Sequence, residues 1–191
     1  MKKILFLAVL LFVNTAVLAQ TERRIYTQAE LEGAKEREAQ KKMQDLQDSI
    51  AYVQALDALE RLDFVLEADM LQFRRGETAF VSTSTNFISL SDDKAVVQIA
   101  PFNGGGPNGV GGITLEGRAS NIKIKTDRKG NTYFTMNVMG TGLSATVDVS
   151  LPKGSNRASI TVSPNLHGNR VSLYGNLYPS ARSQVIEGRS L

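Results

Sequence analysis

Three textures of apolar and polar positions follow one another along the chain. Residues 4–13 (ILFLAVLLFV) form an unbroken apolar run behind the positive start Met1-Lys2-Lys3, and Asn14 to Ala19 follow it. Thr21 to about Leu62 is rich in Glu, Lys, Arg, Gln and Ala and contains no proline. Beyond Leu62 the spacing changes to alternation with period two, interrupted by Gly, Asn and Asp. The first texture predicts a targeting segment, the second a helix, and the third a run of short strands joined by tight turns.

In the helical stretch, Thr27-Gln28-Ala29-Glu30 reads as a capping box, with hydroxyl and carboxylate serving each other's backbone amides. Glu30 and Glu32 lie in the first turn, where the helix dipole favours anions. Gln28 to Lys42 is poor in apolar residues and includes Gly33, which predicts a solvated helix. Met43, Leu46, Ile50 and Val53 then recur at three and four residues, and Leu56 and Leu59 extend the stripe. The stripe suits either packing on the protein's own sheet or pairing with another chain. It is short for a coiled coil, so packing on its own sheet is the favoured expectation.

In the strand region, Phe64, Leu66, Ala68 and Met70 alternate with Val65, Glu67, Asp69 and Leu71. Asn86–Leu90 and Ala95–Phe102 flank a hairpin turn at residues 91–94, and Ile113–Thr126 is one bent strand or two joined by a bulge at Gly117. Further alternating runs, separated by turns around 127–131, 152–156 and 165–169, bring the count to about eight. Local turns between successive strands predict an antiparallel meander. The expected fold class is mainly β with one N-terminal helix (α+β), first as a barrel, because closure removes sheet edges, and second as a two-layer sandwich. The expected organisation is a signal peptide over 1–19, a charged and amphipathic helix over 20–62, and an antiparallel β domain over 63–191.

The apolar start is shorter than the roughly 18 residues that suggest a membrane-spanning helix. With a cationic start, an apolar centre, and Val17 and Ala19 before the cut, it has the plan of a secretory signal peptide. The expected mature chain begins at Gln20, exported to the periplasm or secreted, with no transmembrane anchor after cleavage. The formal charge of +3 and pI near 9.2 owe much to Lys2 and Lys3, whose loss leaves 20 basic residues against the 19 acidic ones. Nucleic acid is therefore not an expected partner.

The chain has no cysteine and one histidine, His167, which excludes a disulfide framework, a thiolate nucleophile and a two-histidine metal site within one protomer. His167 sits among turn residues, and no G-x-S-x-G elbow accompanies it. Glu67 and Asp69 would share a strand face about 7 Å apart, a spacing a glycosidase pair tolerates but also one that any exposed strand face shows. Asp92-Asp93 lacks the rest of a calcium loop. Lys123, Lys125, Arg128 and Lys129 form one basic hairpin. No cofactor and no metal is expected, and the reading leans away from an enzyme.

The most unusual stretch is Asn103 to Gly112 (NGGGPNGVGG). It satisfies G-x-G-x-x-G, but a strand rather than a helix follows, so no helix N-terminus faces a pyrophosphate. A loop so poor in side chains suits the rim of a barrel mouth. Asn103, Gly104, Gly105, Gly106, Pro107, Asn108 and Gly109 are accordingly the candidate ligand-binding residues.

Residues 64–69 (FVLEAD), 85–89 (TNFIS), 95–100 (AVVQIA) and 117–122 (GRASNI) carry a family resemblance. So do the glycine-rich loop with Ile113-Thr114, Gly140-Thr141-Gly142 and Ser163-Pro164-Asn165. Together they resemble an exported bacterial family classed as domain of unknown function 4251. The resemblance implies a Gram-negative envelope protein and brings no catalytic residues with it. The resulting expectation is a non-catalytic envelope module binding a small amphipathic ligand or a glycan. The alternative is an adaptor that self-associates or docks a partner through helix 43–60.

Overall fold

The computed structural model describes residues 27–102, 107–141, 144–165 and 168–190. The apolar segment read as a signal peptide over 1–19 lies outside the described residues. Helix α1 (Gln28–Glu60) is followed by nine antiparallel strands: β1 (Asp63–Phe73), β2 (Thr78–Phe80), β3 (Phe87–Ser91), β4 (Lys94–Ile99), β5 (Ile113–Thr126), β6 (Thr132–Gly140), β7 (Ser144–Leu151), β8 (Arg157–Pro164) and β9 (Val171–Pro179). A 3-10 turn, Ser180–Arg182, follows. Strands β3 to β9 pair in chain order, and β9 returns to β1 along Phe64–Phe73. The other edge of β1 is divided: Asp63–Glu67 pair with β3, and Met70–Gln72 pair with β2. Eight strands thus close into a barrel, with β2 as a short flap outside the ring. The expected mainly β meander is realised as the barrel, not the sandwich.

The barrel is filled. Phe64 on β1 and Phe134 on β6 lie on opposite walls, yet their rings meet edge to face with centroids 5.4 Å apart. Leu66, Ile88, Leu90, Met136, Val147, Leu151, Ile160 and Leu173 close the space around them. Such packing is usual for eight-stranded barrels, whose bore is just wide enough for side chains.

Two bulges correct the simple alternation. In β1, the pairing with β9 shifts between Ala68 and Met70, so Asp69 is the extra residue. Leu71, and not Met70, therefore turns inward with Phe64, Leu66 and Ala68. Opposite this bulge, Gly175 lies against the β1 backbone: a Cβ there would stand 1.9 Å from the Glu67 carbonyl oxygen. In β5, Ile113–Thr126 is a single strand whose irregularity falls between Ser120 and Lys123, with Asn121 at φ 50°. The bulge is thus not at Gly117, because an asparagine tolerates the left-handed region and Gly117 is occupied by close strand contact with Met139.

Helix α1 is divided between two units, the boundary falling between Lys42 and Met43. Over residues 28–42 every residue but Gly33 is exposed. The capping box is present, with the Thr27 amide donating to Glu30 Oε2 at 2.8 Å and the Glu30 amide donating to Thr27 Oγ1 at 3.3 Å. In the second unit, the helix buries Ala55, Ala58 and Leu59 in the barrel core, with Tyr52 and Leu56 beside them. Met43, Leu46, Ile50 and Val53 remain 59, 57, 50 and 62% exposed. The expected packing of the stripe on the sheet therefore holds for Leu56 and Leu59 and is corrected for Met43, Leu46, Ile50 and Val53. Small alanines let the opposite side of the helix approach more closely than the bulky stripe would. Leu62, at φ 57°, reverses the chain directly into β1, and its own side chain packs on the core.

Candidate functional site

The two ends of the barrel differ. At one end Tyr52 donates to the Gly130 carbonyl in the β5–β6 turn at 2.8 Å, and the helix closes the core beneath it. At the other end an apolar cavity of about 90 Å³ remains. Val97 and Ile99 of β4, Ile113 and Leu115 of β5, Ala145 of β7, and Val162 and Pro164 of β8 line it. Asn169 and Val171, leading into β9, complete the wall. Ile99 and Ile113 are the strand residues flanking the glycine-rich connection, so that connection begins and ends on the cavity rim.

Beside the cavity lies an open recess lined by Phe73, Arg74, Arg75, Glu77 and Asn169. Asn169 belongs to both walls, and Phe73 pairs directly with Val171. A tight β1–β2 turn builds the recess: the Phe73 amide donates to the Glu77 carbonyl at 2.8 Å, the Gly76 amide donates to the Phe73 carbonyl at 2.9 Å, and Gly76 takes φ 91°. Arg74 and Arg75 occupy the exposed tip, with glycine at the position that needs a positive φ.

Of the predicted loop residues, Asn103, Gly104, Gly105 and Gly106 lie outside the described residues. Pro107 and Gly109 are exposed. Asn108 is buried and fully engaged in shaping the loop. Its Oδ1 accepts from the amides of Val110 (3.1 Å) and Gly112 (2.9 Å), and its Nδ2 donates to Thr114 Oγ1 at 3.1 Å. The Thr114 hydroxyl donates in turn to Gln98 Oε1 at 2.8 Å.

This buried chain fastens a segment that sequence reading did not single out. Residues 183–190 run across the outside of β1, β3 and β4. Gln98 donates to the Thr85 and Ile186 carbonyls at 2.9 and 2.8 Å, and its Oε1 also accepts from the Gly188 amide at 2.7 Å. The Arg189 amide donates to the Asn108 carbonyl at 3.0 Å. Val185 packs on Val65, Phe87 and Val96, which explains why β4 is buried on both faces. The detectable signal was a lone glutamine inside the apolar run AVVQIA, since a buried amide needs partners on every lone pair and hydrogen.

The remaining candidates are held in structural contacts. Glu67 Oε1 accepts from Ser183 Oγ at 2.7 Å, and Asp69 receives both guanidinium nitrogens of Arg157, one at 2.7 Å. Asp93 pairs with Arg118, while Asp92 sits in the β3–β4 turn at φ 55°. Lys123, Lys125, Arg128 and Lys129 are exposed at the helix-closed end, away from the cavity. Asp127 among them has its carboxyl held below the usual range, chiefly by the Asn131 side-chain amide and then by neighbouring backbone amides. His167 lies outside the described residues. Among the described residues no group of three or more metal-binding side chains converges, and no helix is long and apolar enough to cross a membrane.

The family described as Domain of unknown function (DUF4251) matches this chain over residues 47–177. The chain belongs to that family. The match runs from the sheet-facing half of α1 to within two residues of the end of β9. A crystal structure of a DUF4251 family protein from Bacteroides eggerthii, determined at 1.95 Å, is similar to it at 40% identity and a TM-score of 0.66. The similarity covers 77% of this chain and 99% of that one. No curated protein matches. The resemblance read from residues 64–69, 85–89, 95–100 and 117–122 is thereby confirmed. For this DUF4251 chain the matched span contains the barrel, the cavity wall and the arginine turn, whereas residues 183–190 lie beyond it.

Proposed function

We propose that this DUF4251 chain is an exported, non-catalytic binding module that takes the apolar end of an amphipathic ligand into the open end of its barrel. The observation that carries this reading is the cavity, whose wall is aliphatic except for Asn169. A glycan would need several converging hydrogen-bond groups, so the wall favours a hydrocarbon chain. At about 90 Å³ the space is below the roughly 150 Å³ that admits benzene in a dry protein cavity. It fits the end of one chain. Export is supported by the apolar segment 4–13 with its cationic start. N-terminal sequencing of protein recovered from the periplasm is expected to begin at Gln20.

The test is displacement of a fluorescent apolar probe by single-chain amphiphiles, compared between the native chain and Ala145→Leu. Ala145 is 2% exposed and lines the cavity, so the larger side chain is expected to fill it and abolish displacement without lowering the unfolding temperature. Equal displacement by both proteins would place the ligand elsewhere.

A second reading rests on the exposed stripe. Met43, Leu46, Ile50 and Val53 follow the three–four spacing of a helix seam and stay about half exposed or more. In that reading the module docks a partner helix, or a second copy, through residues 43–53. Light scattering on the native chain and on Leu46→Glu, Ile50→Glu distinguishes the two. A dimer that dissociates in the double variant supports the helix reading, and a monomer in both removes the self-association form of it.

A further inference from the structure

We propose that the recess beside the cavity is the head-group site of the same ligand, making that ligand a single-chain anionic amphiphile with a carboxylate or phosphate head. This rests on the barrel reading above and adds the charge of the occupant. The recess and the cavity share Asn169, and their nearest wall residues, Phe73 and Val171, are directly paired across β1 and β9. A ligand whose chain end lies among Val97, Leu115 and Val162 therefore emerges past Asn169 toward Arg74 and Arg75.

Charge decides the chemistry of the head. The recess offers two guanidinium groups against the single carboxylate of Glu77. Arg170, the exposed sequence neighbour of Asn169, carries a further positive charge. The five ion pairs among the described residues engage none of these three arginines. The three-residue turn with Gly76 at φ 91° fixes the backbone under Arg74 and Arg75, so their forks are presented by a short rigid hairpin and not by a long loop. Planar forked donors suit carboxylate and phosphate oxygens in two-point contact. Only a single chain fits, because the apolar space is about 90 Å³.

The test uses the full chain with dodecanoate, dodecyl phosphate and dodecanol below their aggregation limits, read by calorimetric titration. The anions are expected to bind about tenfold more tightly than the alcohol, by the worth of one charged hydrogen-bonded contact. That advantage is expected to shrink with added salt, as an exposed charge contact should. Arg74→Gln, Arg75→Gln is expected to remove the advantage and leave dodecanol affinity unchanged. Glu77→Gln, which alters one exposed side chain of the same turn, is expected to tighten both anions. Comparing the two anions identifies the head: stronger dodecanoate binding indicates a carboxylate, stronger dodecyl phosphate binding a phosphate. Equal affinity for anions and alcohol, unaffected by the arginine change, overturns the head-group assignment while the barrel reading stands. Failure of all three to bind overturns the barrel reading and this assignment with it.

Discussion

Replacing Gln98 by leucine isolates what holds the C-terminal segment to the barrel. Gln98 is fully buried, and its amide makes four hydrogen bonds: to the carbonyls of Thr85 and Ile186, from the Thr114 hydroxyl, and from the Gly188 amide. Leucine has nearly the same size but satisfies none of them. At about 1 kcal/mol net for each bond the loss is about 4 kcal/mol. Burying an aliphatic side chain in its place returns about 1 kcal/mol, so the expected destabilisation is about 3 kcal/mol. For a chain of this length each kcal/mol lowers the unfolding midpoint by roughly 2–4 °C. The midpoint should therefore fall by about 6–12 °C.

A truncation after Arg182 completes a double-mutant cycle. Removing residues 183–191 already deletes two of the four bonds, those to Ile186 and from Gly188. In the truncated background Gln98→Leu should cost only about 1 kcal/mol, two bonds less the same aliphatic return, a coupling of about 2 kcal/mol, well above the few tenths expected for independent sites. Calorimetric unfolding supplies the energies, and amide exchange at 184–189 reports whether the segment is loosened in the full chain. A midpoint drop below about 2 °C, or strictly additive effects with unchanged exchange at 184–189, would refute the strap.

Other contacts give sharper or smaller effects. Gly175→Ala forces a Cβ to 1.9 Å from the Glu67 carbonyl oxygen, so β1 and β9 must part at their closing seam. A loss of about 2 kcal/mol or more is expected in chemical denaturation, by analogy with overpacked cores. Asp127→Asn should destabilise at neutral pH, because the native carboxylate holds the β5–β6 turn through Asn131 and Lys129. Its folded pKa is lowered, so its stabilisation is complete above the ordinary value of 3.8 and is lost as pH falls through the lower folded value. Denaturation midpoints of the native chain and the Asp127→Asn variant should therefore differ by a steady amount above the ordinary value and converge as pH falls through the folded one. Arg157→Ala removes the bidentate contact with Asp69, but both side chains are 40–50% exposed. A change below about 1 kcal/mol is expected in the same assay.

How much was legible in the sequence depended on whether a signal was local. The capping box at Thr27–Glu30 is a four-residue pattern, and the barrel strands announce themselves through alternation and turns, so both were readable. The bulge at Asp69 was not, because nothing in FVLEADML marks which residue drops out of step; the partner does, through Gly175 more than a hundred positions later. The helix face was misjudged for a related reason. A hydrophobicity pattern weights Met43, Leu46, Ile50 and Val53, whereas the barrel end selects Tyr52, Ala55 and Ala58 by shape and by one hydroxyl aimed at Gly130. The strap over 183–190 has no periodicity at all, and its one sequence signal, the polar Gln98 inside the apolar run AVVQIA, was passed over. Of the candidate site, composition pointed to the glycine-rich loop, and the strand residues flanking it, Ile99 and Ile113, line the cavity. The arginine turn was missed because Arg74-Arg75-Gly76 reads as an ordinary hairpin tip until β9 brings Asn169 beside it.

These features also assign the two ends of the barrel different roles. At the helix end, the Tyr52 hydroxyl, the Asp127 turn and the buried alanines lock a small number of compact contacts into one arrangement, and such regions open only with the whole fold. At the cavity end, the described part of the connection between β4 and β5 is anchored through Asn108, whose side-chain oxygen accepts from the Val110 and Gly112 amides beside the aliphatic wall. The strap links this end to the outer wall, because Arg189 and Gly188 hold Asn108 and Gln98, the same residues that fix the base of the loop. A ligand entering at the cavity therefore works against the loop and its anchor while the closed end stays fixed. It follows that amphiphile binding should alter amide exchange at 108–112 and 186–189 together and leave Gly130 and Tyr52 unchanged.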